Sequence, residues 1–327
     1  MRILVTGSAG HLGEGLMRTL AHSEHEAVGL DIKHSPFTQR VGSIAERAFV
    51  EDCVRGAEVI LHTATLHKPH IETHSGQDFV DTNISGTLNL LEAAVAAGVK
   101  VFVFTSTTST FGRALVPARG EPASWITEAV VPIPKNIYGI TKLAAENLCE
   151  LIHRKSGLPC VVLRTARFFP EDDDNRDARS AFDNDNLKVN ELLYRRADIE
   201  DVVTAHLLAI SKAPELGFDR FVISANTPFT RDDLPELHSH AERVVQRLFP
   251  AYQAVYQKRG WSLPNAFDRV YVNERARMRL GWQPRYDFDY AIHQLQAGHD
   301  YRSPLAIAVG AKGYHARQFV DEPYPVS

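Results

Sequence analysis

The chain has 327 residues, enough for one large domain or two modest ones. A hydrophobic content of 44% and a charged content of 23% are ordinary for a soluble globular protein, and a net charge of -4 gives no case for nucleic-acid binding. No run approaches the roughly 18 apolar residues of a membrane span, and Cys53, Cys149 and Cys160 show neither metal spacing nor a disulfide framework, so a cytoplasmic protein is expected.

The first half alternates short apolar runs with helical patterns, the mark of a parallel sheet with crossover helices. Strands are predicted at 2–6, 27–30, 59–62, 101–105 and 160–164. Their nearly continuous apolar character suits strands buried on both faces. Helices are predicted at 11–21, 77–97 and 136–156. In the second, Ile84, Leu88, Leu91 and Val95 recur at helical spacing, and Gly98 stands where a C-cap belongs. After about Pro170 the texture changes. An acidic run at 171–174 opens a polar stretch to 186 that reads as a loop or lid leaving the sheet. A helix near 199–211, a strand near 220–224 and a helix near 234–249 follow. The tail, with Pro323 and Pro325, reads as an arm over the surface.

Two motifs carry chemistry. Gly7, Gly10 and Gly13 follow the first strand and open the first helix. Glycines there permit a tight turn, let backbone N–H groups approach a pyrophosphate and aim a helix dipole at it. Asp31 ends the second strand, 18 residues after Gly13, about where a carboxylate accepts the adenosine ribose hydroxyls. It would repel a 2′-phosphate, which favours NAD over NADP; Lys33 and His34 soften that preference. The second motif is Tyr138 and Lys142, four apart on one helix face. A neighbouring ammonium lowers the pKa of a phenol, so the pair suits proton transfer. The hydroxyl-rich segment 105–110 ends a parallel strand at its carboxyl end, where ligands sit in such sheets.

The expected fold class is therefore α/β: a Rossmann-type doubly wound parallel sheet with a smaller, discontinuous C-terminal substrate-binding cap. Residues 1–166 form the NAD-binding domain, with 195–225 returning to it. Residues 167–194 and 226–327 form the cap and C-terminal arm.

These residues resemble the extended short-chain dehydrogenase/reductases of the NAD-dependent epimerase/dehydratase group, over nearly the whole chain. The carriers are 6–13, Asp31, His62-Thr63-Ala64-Thr65, 81–87, 105–112, 138–142, Leu163-Arg164, 198–203 and Leu280-Gly281-Trp282-Gln283-Pro284. The resemblance implies a catalytic Thr107, with Tyr138 as acid/base and Lys142 as its partner. It implies cofactor contacts from Gly7, Ala9, Gly10, His11, Leu12, Gly13, Asp31, Ile32, Lys33, Ser43 and Ile44. It adds Thr63, Ala64, Thr65, His67, Asn83, Thr105, Tyr138, Lys142, Thr165 and Ala166. Helices 77–97 and 136–156 match those that commonly form a homodimer interface.

Gly42-Ser43-Ile44 stands where the family often has Gly-Asp-hydrophobic, and Arg167 where sugar-nucleotide enzymes typically carry asparagine. Substrate contacts are expected from His67, Thr107, Thr108, Arg167 and Arg196, the arginines with Arg195 forming an anion clamp. His62, His67, His70 and His74 are read as rim residues, with no metal. The expected function is NAD-dependent hydride transfer at the hydroxyl of a sugar or nucleotide sugar, as an epimerase or a dehydrogenase. The rival readings are an NAD(P)H-dependent reductase of an apolar ketone or aldehyde, and a non-catalytic dinucleotide-binding protein.

Overall fold

A computed structural model describes residues 1–313. The tail carrying Pro323 and Pro325 lies outside the described residues. The first half runs β1 (Arg2–Thr6), α1 (His11–Leu20), β2 (Glu26–Asp31), β3 (Arg40–Val41), α2 (Arg47–Val54) and β4 (Val59–His62). Then come α3 (Gly76–Phe79), a π-helical stretch Val80–Ser85, α4 (Gly86–Ala97), β5 (Val101–Thr107), β6 (Ser124–Ile126), α5 (Ile137–Ser156) and β7 (Cys160–Thr165). The second half holds α6 (Arg176–Ala181), α7 (Asn184–Leu192), α8 (Ile199–Leu216), β8 (Phe218–Ile223), α9 (Leu234–Leu248) and α10 (Tyr252–Arg259). It closes with β9 (Arg269–Tyr271), α11 (Glu274–Leu280), α12 (Phe288–Gln296) and α13 (Pro304–Val309).

Seven strands form one parallel sheet in the order β3-β2-β1-β4-β5-β7-β8. The order reverses between β1 and β4, and that switch point opens a crevice at the carboxyl ends. One face buries Ile3, Val5, Val103 and Leu163 against α1, α8 and α11, with Trp282 fully buried among them. The other buries Leu4, Ile60, Phe102 and Phe104 against α2, α4 and α5. A separate cluster joins α7, α9, α10 and α12 through Leu192, Val244, Tyr252 and Phe288. Beside it β6 pairs with β9, Trp125 opposite Val270. Two late motifs meet in the core: Asp201 accepts from Arg285 N and Tyr286 N, and the Trp282 indole donates to its carbonyl.

The predicted strands all form, and Gly98 caps α4 at φ +70°. The stretch at 171–186 differs from the expected loop. It contains α6 and the start of α7, because its polar residues are N-caps: Asn175 accepts from Asp177 N and Ala178 N, and Asp183 from Asp185 N and Asn186 N. Among the described residues no helix is long and apolar enough to cross a membrane.

Candidate functional site

The turn after β1 needs glycine for measurable reasons. Gly7 sits at φ +74°, and a Cβ on it would lie 2.7 Å from Ala64 N. A Cβ on Gly13 would lie 1.9 Å from the Gly7 carbonyl oxygen. The turn therefore packs α1 directly on the strand end. Gly10 caps α1 without a side-chain hydrogen bond, leaving the first-turn N–H groups for an anion. Asp31 accepts from Ala9 N at 3.0 Å and from Lys33 N at 2.9 Å, which ties the end of β2 to the same turn.

Thr107 ends β5, in register with Thr165 of β7. Its hydroxyl accepts from Ser109 N at 3.1 Å, and Thr107 lines the same cleft as Tyr138. Asn136 caps α5 by accepting from Gly139 N at 3.0 Å, so Tyr138 lies in the first turn. At Gly139 a Cβ would lie 2.9 Å from the Ser109 carbonyl oxygen, so α5 and the strand end are in close contact. Lys142, one turn further, is 2% exposed, with its ammonium 4.0 Å from the centre of the Phe104 ring. Burial pushes its pKa down to about 7, with Glu146 opposing. Burial also pushes the Tyr138 phenol up to about 12, against the Thr107 hydrogen bond.

One cleft of about 1020 Å³ joins these two features. Gly7, Ala9, Gly10, His11, Leu12, Gly13, Asp31, Ile32, Lys33, Ser43, Ile44, Thr63, Ala64 and Thr65 line the cradle half. Thr105, Thr107, Thr108, Tyr138, Lys142, Thr165, Ala166, His67, Arg167 and Arg196 line the remainder. Asn83 is the exception among the expected residues. It is buried one layer back, where its amide accepts from Leu66 N at 2.8 Å and donates to Leu66 O and to Thr141 Oγ1. It props the 65–66 loop instead of facing the cleft. His62 also departs from the expected rim: fully buried, it bridges Thr6 Oγ1 at 2.8 Å and Thr87 Oγ1 at 2.9 Å. Among the described residues no metal-binding cluster occurs.

The three arginines come together around a carboxylate that the sequence reading missed. Glu191, 2% exposed at its side chain, lies 3.1 Å from Arg167, 2.8 Å from Arg195 and 2.8 Å from Arg196. Burial alone would raise its pKa; the guanidiniums outweigh that and hold it down to about 2. Arg167 also pairs with Asp173 and Asp174, and Asp174 with Lys68. The expected clamp is thus already loaded with carboxylates. Glu171 was missed as well: it pairs with His11 at 2.7 Å. The signals available were Glu191 four residues before the Arg195-Arg196 pair and the acidic run that follows Arg167.

The family model "NAD dependent epimerase/dehydratase family" matches residues 3–223. A UDP-glucose 4-epimerase of Rhizobium leguminosarum bv. trifolii is 28% identical over 330 residues, covering 91% of this chain and 97% of that one. An uncharacterized UDP-glucose epimerase of Bacillus subtilis is 31% identical over 185 residues, spanning 50% of this chain and about half (55%) of that protein's length. The solved UDP-glucose 4-epimerase of Thermotoga maritima, with UDP-glucose, superposes with a TM-score of 0.63 at 23% identity, over 91% and 99% of the two chains, which shows the shared fold. The chain belongs to the NAD-dependent epimerase/dehydratase family, an enzyme family of the extended short-chain dehydrogenase/reductases that uses NAD.

Proposed function

We propose that this chain oxidises a hydroxyl of a sugar or nucleotide sugar, with Tyr138 as the proton acceptor. The single observation that carries the reading is the convergence of Thr107, Tyr138 and buried Lys142 at the end of β5, in the cleft of the glycine cradle. The cradle fits the cofactor of the family, since its glycines leave room only for backbone. NAD held there would supply the hydride acceptor and donor. Thr107 orients the substrate oxygen through its hydroxyl. Tyr138 takes the hydroxyl proton as phenolate and returns it in the reverse sense. Lys142 stabilises that phenolate from one helical turn away.

A sugar-type substrate is supported by charge in the cleft: Lys68, Arg167, Glu191 and Arg195 line it together with the triad. An apolar ketone would displace water from these paired charges and offer them no hydrogen bond in exchange. Relatives named UDP-glucose 4-epimerase support a nucleotide sugar and an epimerase outcome. Asp31 supports NAD over NADP by charge.

The experiment is a panel of free sugars, sugar acids, UDP-sugars and GDP-sugars with NAD, followed by reduced-nicotinamide absorbance and by separation of epimers. Accumulating absorbance means a dehydrogenase; an epimer without net reduced cofactor means an epimerase. Tyr138→Phe is expected to lower turnover by about 100-fold or more while NAD still binds. Turnover that survives this change refutes the proton-transfer role, and silence across the panel refutes the substrate class.

A further inference from the structure

We propose that the acidic run is a latch: residues 168–174, bolted to α1 through Glu171 and to the 65–70 loop through Asp174, close over the dinucleotide cradle and govern release of the cofactor. The proposal rests on the reading of the cleft as an NAD site.

Two sets of contacts carry it. One set fixes the segment to the cap side. Arg167 pairs with Asp173, Arg179 Nη1 donates to the Asp173 carbonyl at 2.6 Å, Arg196 donates to the Phe169 carbonyl and Lys188 to the Pro170 carbonyl. The other set crosses the cleft. Glu171 Oε1 lies 2.7 Å from His11 Nε2, both side chains nearly buried at 11% and 5% exposure. Asp174 pairs with Lys68. The Phe169 ring stacks on His67 at 5.5 Å and meets His11 edge-on at 5.3 Å. His11 is the first residue of α1, whose N-terminus faces the cradle.

A second layer lies on the first. Glu171 Oε1 also accepts from Lys312 N at 2.9 Å and Gly313 N at 3.3 Å, while the Lys312 ammonium pairs with Glu14 on α1. Ala311, Lys312, Gly313 and Glu171 line the same cleft as Gly10 and His11. One carboxylate thus joins α1, the 168–174 segment and the 311–313 segment across the mouth of the cradle. A dinucleotide lying on the cradle leaves only after those contacts part, as lid segments elsewhere gate release. The spacing of the acidic run follows from this: Glu171 serves α1, while Asp173 and Asp174 serve the arginines and Lys68.

The test uses the full chain loaded with NADH. Mixing with excess NAD and following the loss of bound-NADH fluorescence gives the release rate. Glu171→Ala removes the shared acceptor, and Lys68→Met cuts the second crossing contact without touching the first. Each variant is expected to release NADH about tenfold faster or more, with an unchanged unfolding transition without cofactor. Release at the wild-type rate from both variants overturns the latch. Faster release that tracks a general loss of stability in both overturns it as well. A wild-type chain that binds no NADH refutes the functional reading and the latch together, whereas tight binding with latch-independent release refutes the latch alone.

Discussion

Replacing Lys142 by Met is expected to stabilise the chain at pH 6 while ending turnover. Lys142 is 2% exposed, and burial lowers its pKa from 10.5 to about 7 with Glu146 opposing. Between those two values the unfolded chain binds more protons than the folded one, so stability rises with pH across that window. Below about pH 7 both states are protonated and the full penalty applies. Each tenfold in proton affinity is about 1.4 kcal/mol, so the raw penalty is about 5 kcal/mol. The Phe104 ring face, 4.0 Å from the ammonium, returns about 1–2 kcal/mol of that. Methionine refills most of the stem volume and brings no charge, leaving a net gain of about 2–4 kcal/mol at pH 6. At pH 10 nearly all of the gain is gone. Urea unfolding of both proteins at pH 6 and pH 10, without cofactor, measures it. A variant less stable than the wild type at pH 6, or a difference that does not shrink as pH rises, would refute the idea that this site holds its cation at the expense of stability.

Two further substitutions probe the cradle. Gly13→Ala places a methyl 1.9 Å from the Gly7 carbonyl oxygen and 2.6 Å from its carbon, both rigid backbone. NADH affinity by fluorescence titration is expected to fall by about tenfold or more, and wild-type affinity would mean the turn is not fixed as described. Asp31→Ala removes the acceptor of Ala9 N and Lys33 N together with the charge that opposes a 2′-phosphate. The ratio of NAD to NADP affinity should fall, and an unchanged ratio would assign selectivity to another group.

Much of the layout was legible because the signals are local. A glycine at φ +74° and a methyl-sized clash at Gly13 leave a direct imprint on residue choice. Strands buried on both faces, such as Val161–Leu163, read as unbroken apolar runs. What escaped was non-local or ambiguous. The two residues of β3 and the three-residue β6 and β9 are too short for a period, and β6 finds its partner far along the chain. The 171–186 stretch looked like a loop because capping residues and loop residues are the same types; only the hydrogen bonds to Ala178 N and Asn186 N separate them. His62 resembled a rim residue by its neighbours in sequence, yet its strand position faces two buried hydroxyls. The arginines read as free cations because Glu191, four residues before Arg195, stands between uncharged neighbours, while Arg167, its third partner, lies 24 residues away.

The relation between Tyr138 and Thr107 is held by polar ties below the cleft, not by the loops above it. Glu146 lies one turn after Lys142 on α5 and is fully buried. It accepts the Ser106 hydroxyl at 2.5 Å and a fork from Arg164 at 3.0 and 2.7 Å. Ser106 is the neighbour of Thr107, and its carbonyl accepts the Thr165 hydroxyl at 3.0 Å. One carboxylate therefore joins α5, β5 and β7 directly beneath the reacting groups. Nearer the N-terminus of the same helix, Asn83 donates to Thr141 Oγ1 at 3.0 Å while holding the 65–66 loop. Breaking a buried hydrogen bond to a charged group is costly, so the Glu146 ties resist small displacements more steeply than apolar packing would. No residue of the 168–174 segment belongs to the Glu146 or Asn83 network, so the proposed latch motion leaves these ties untouched.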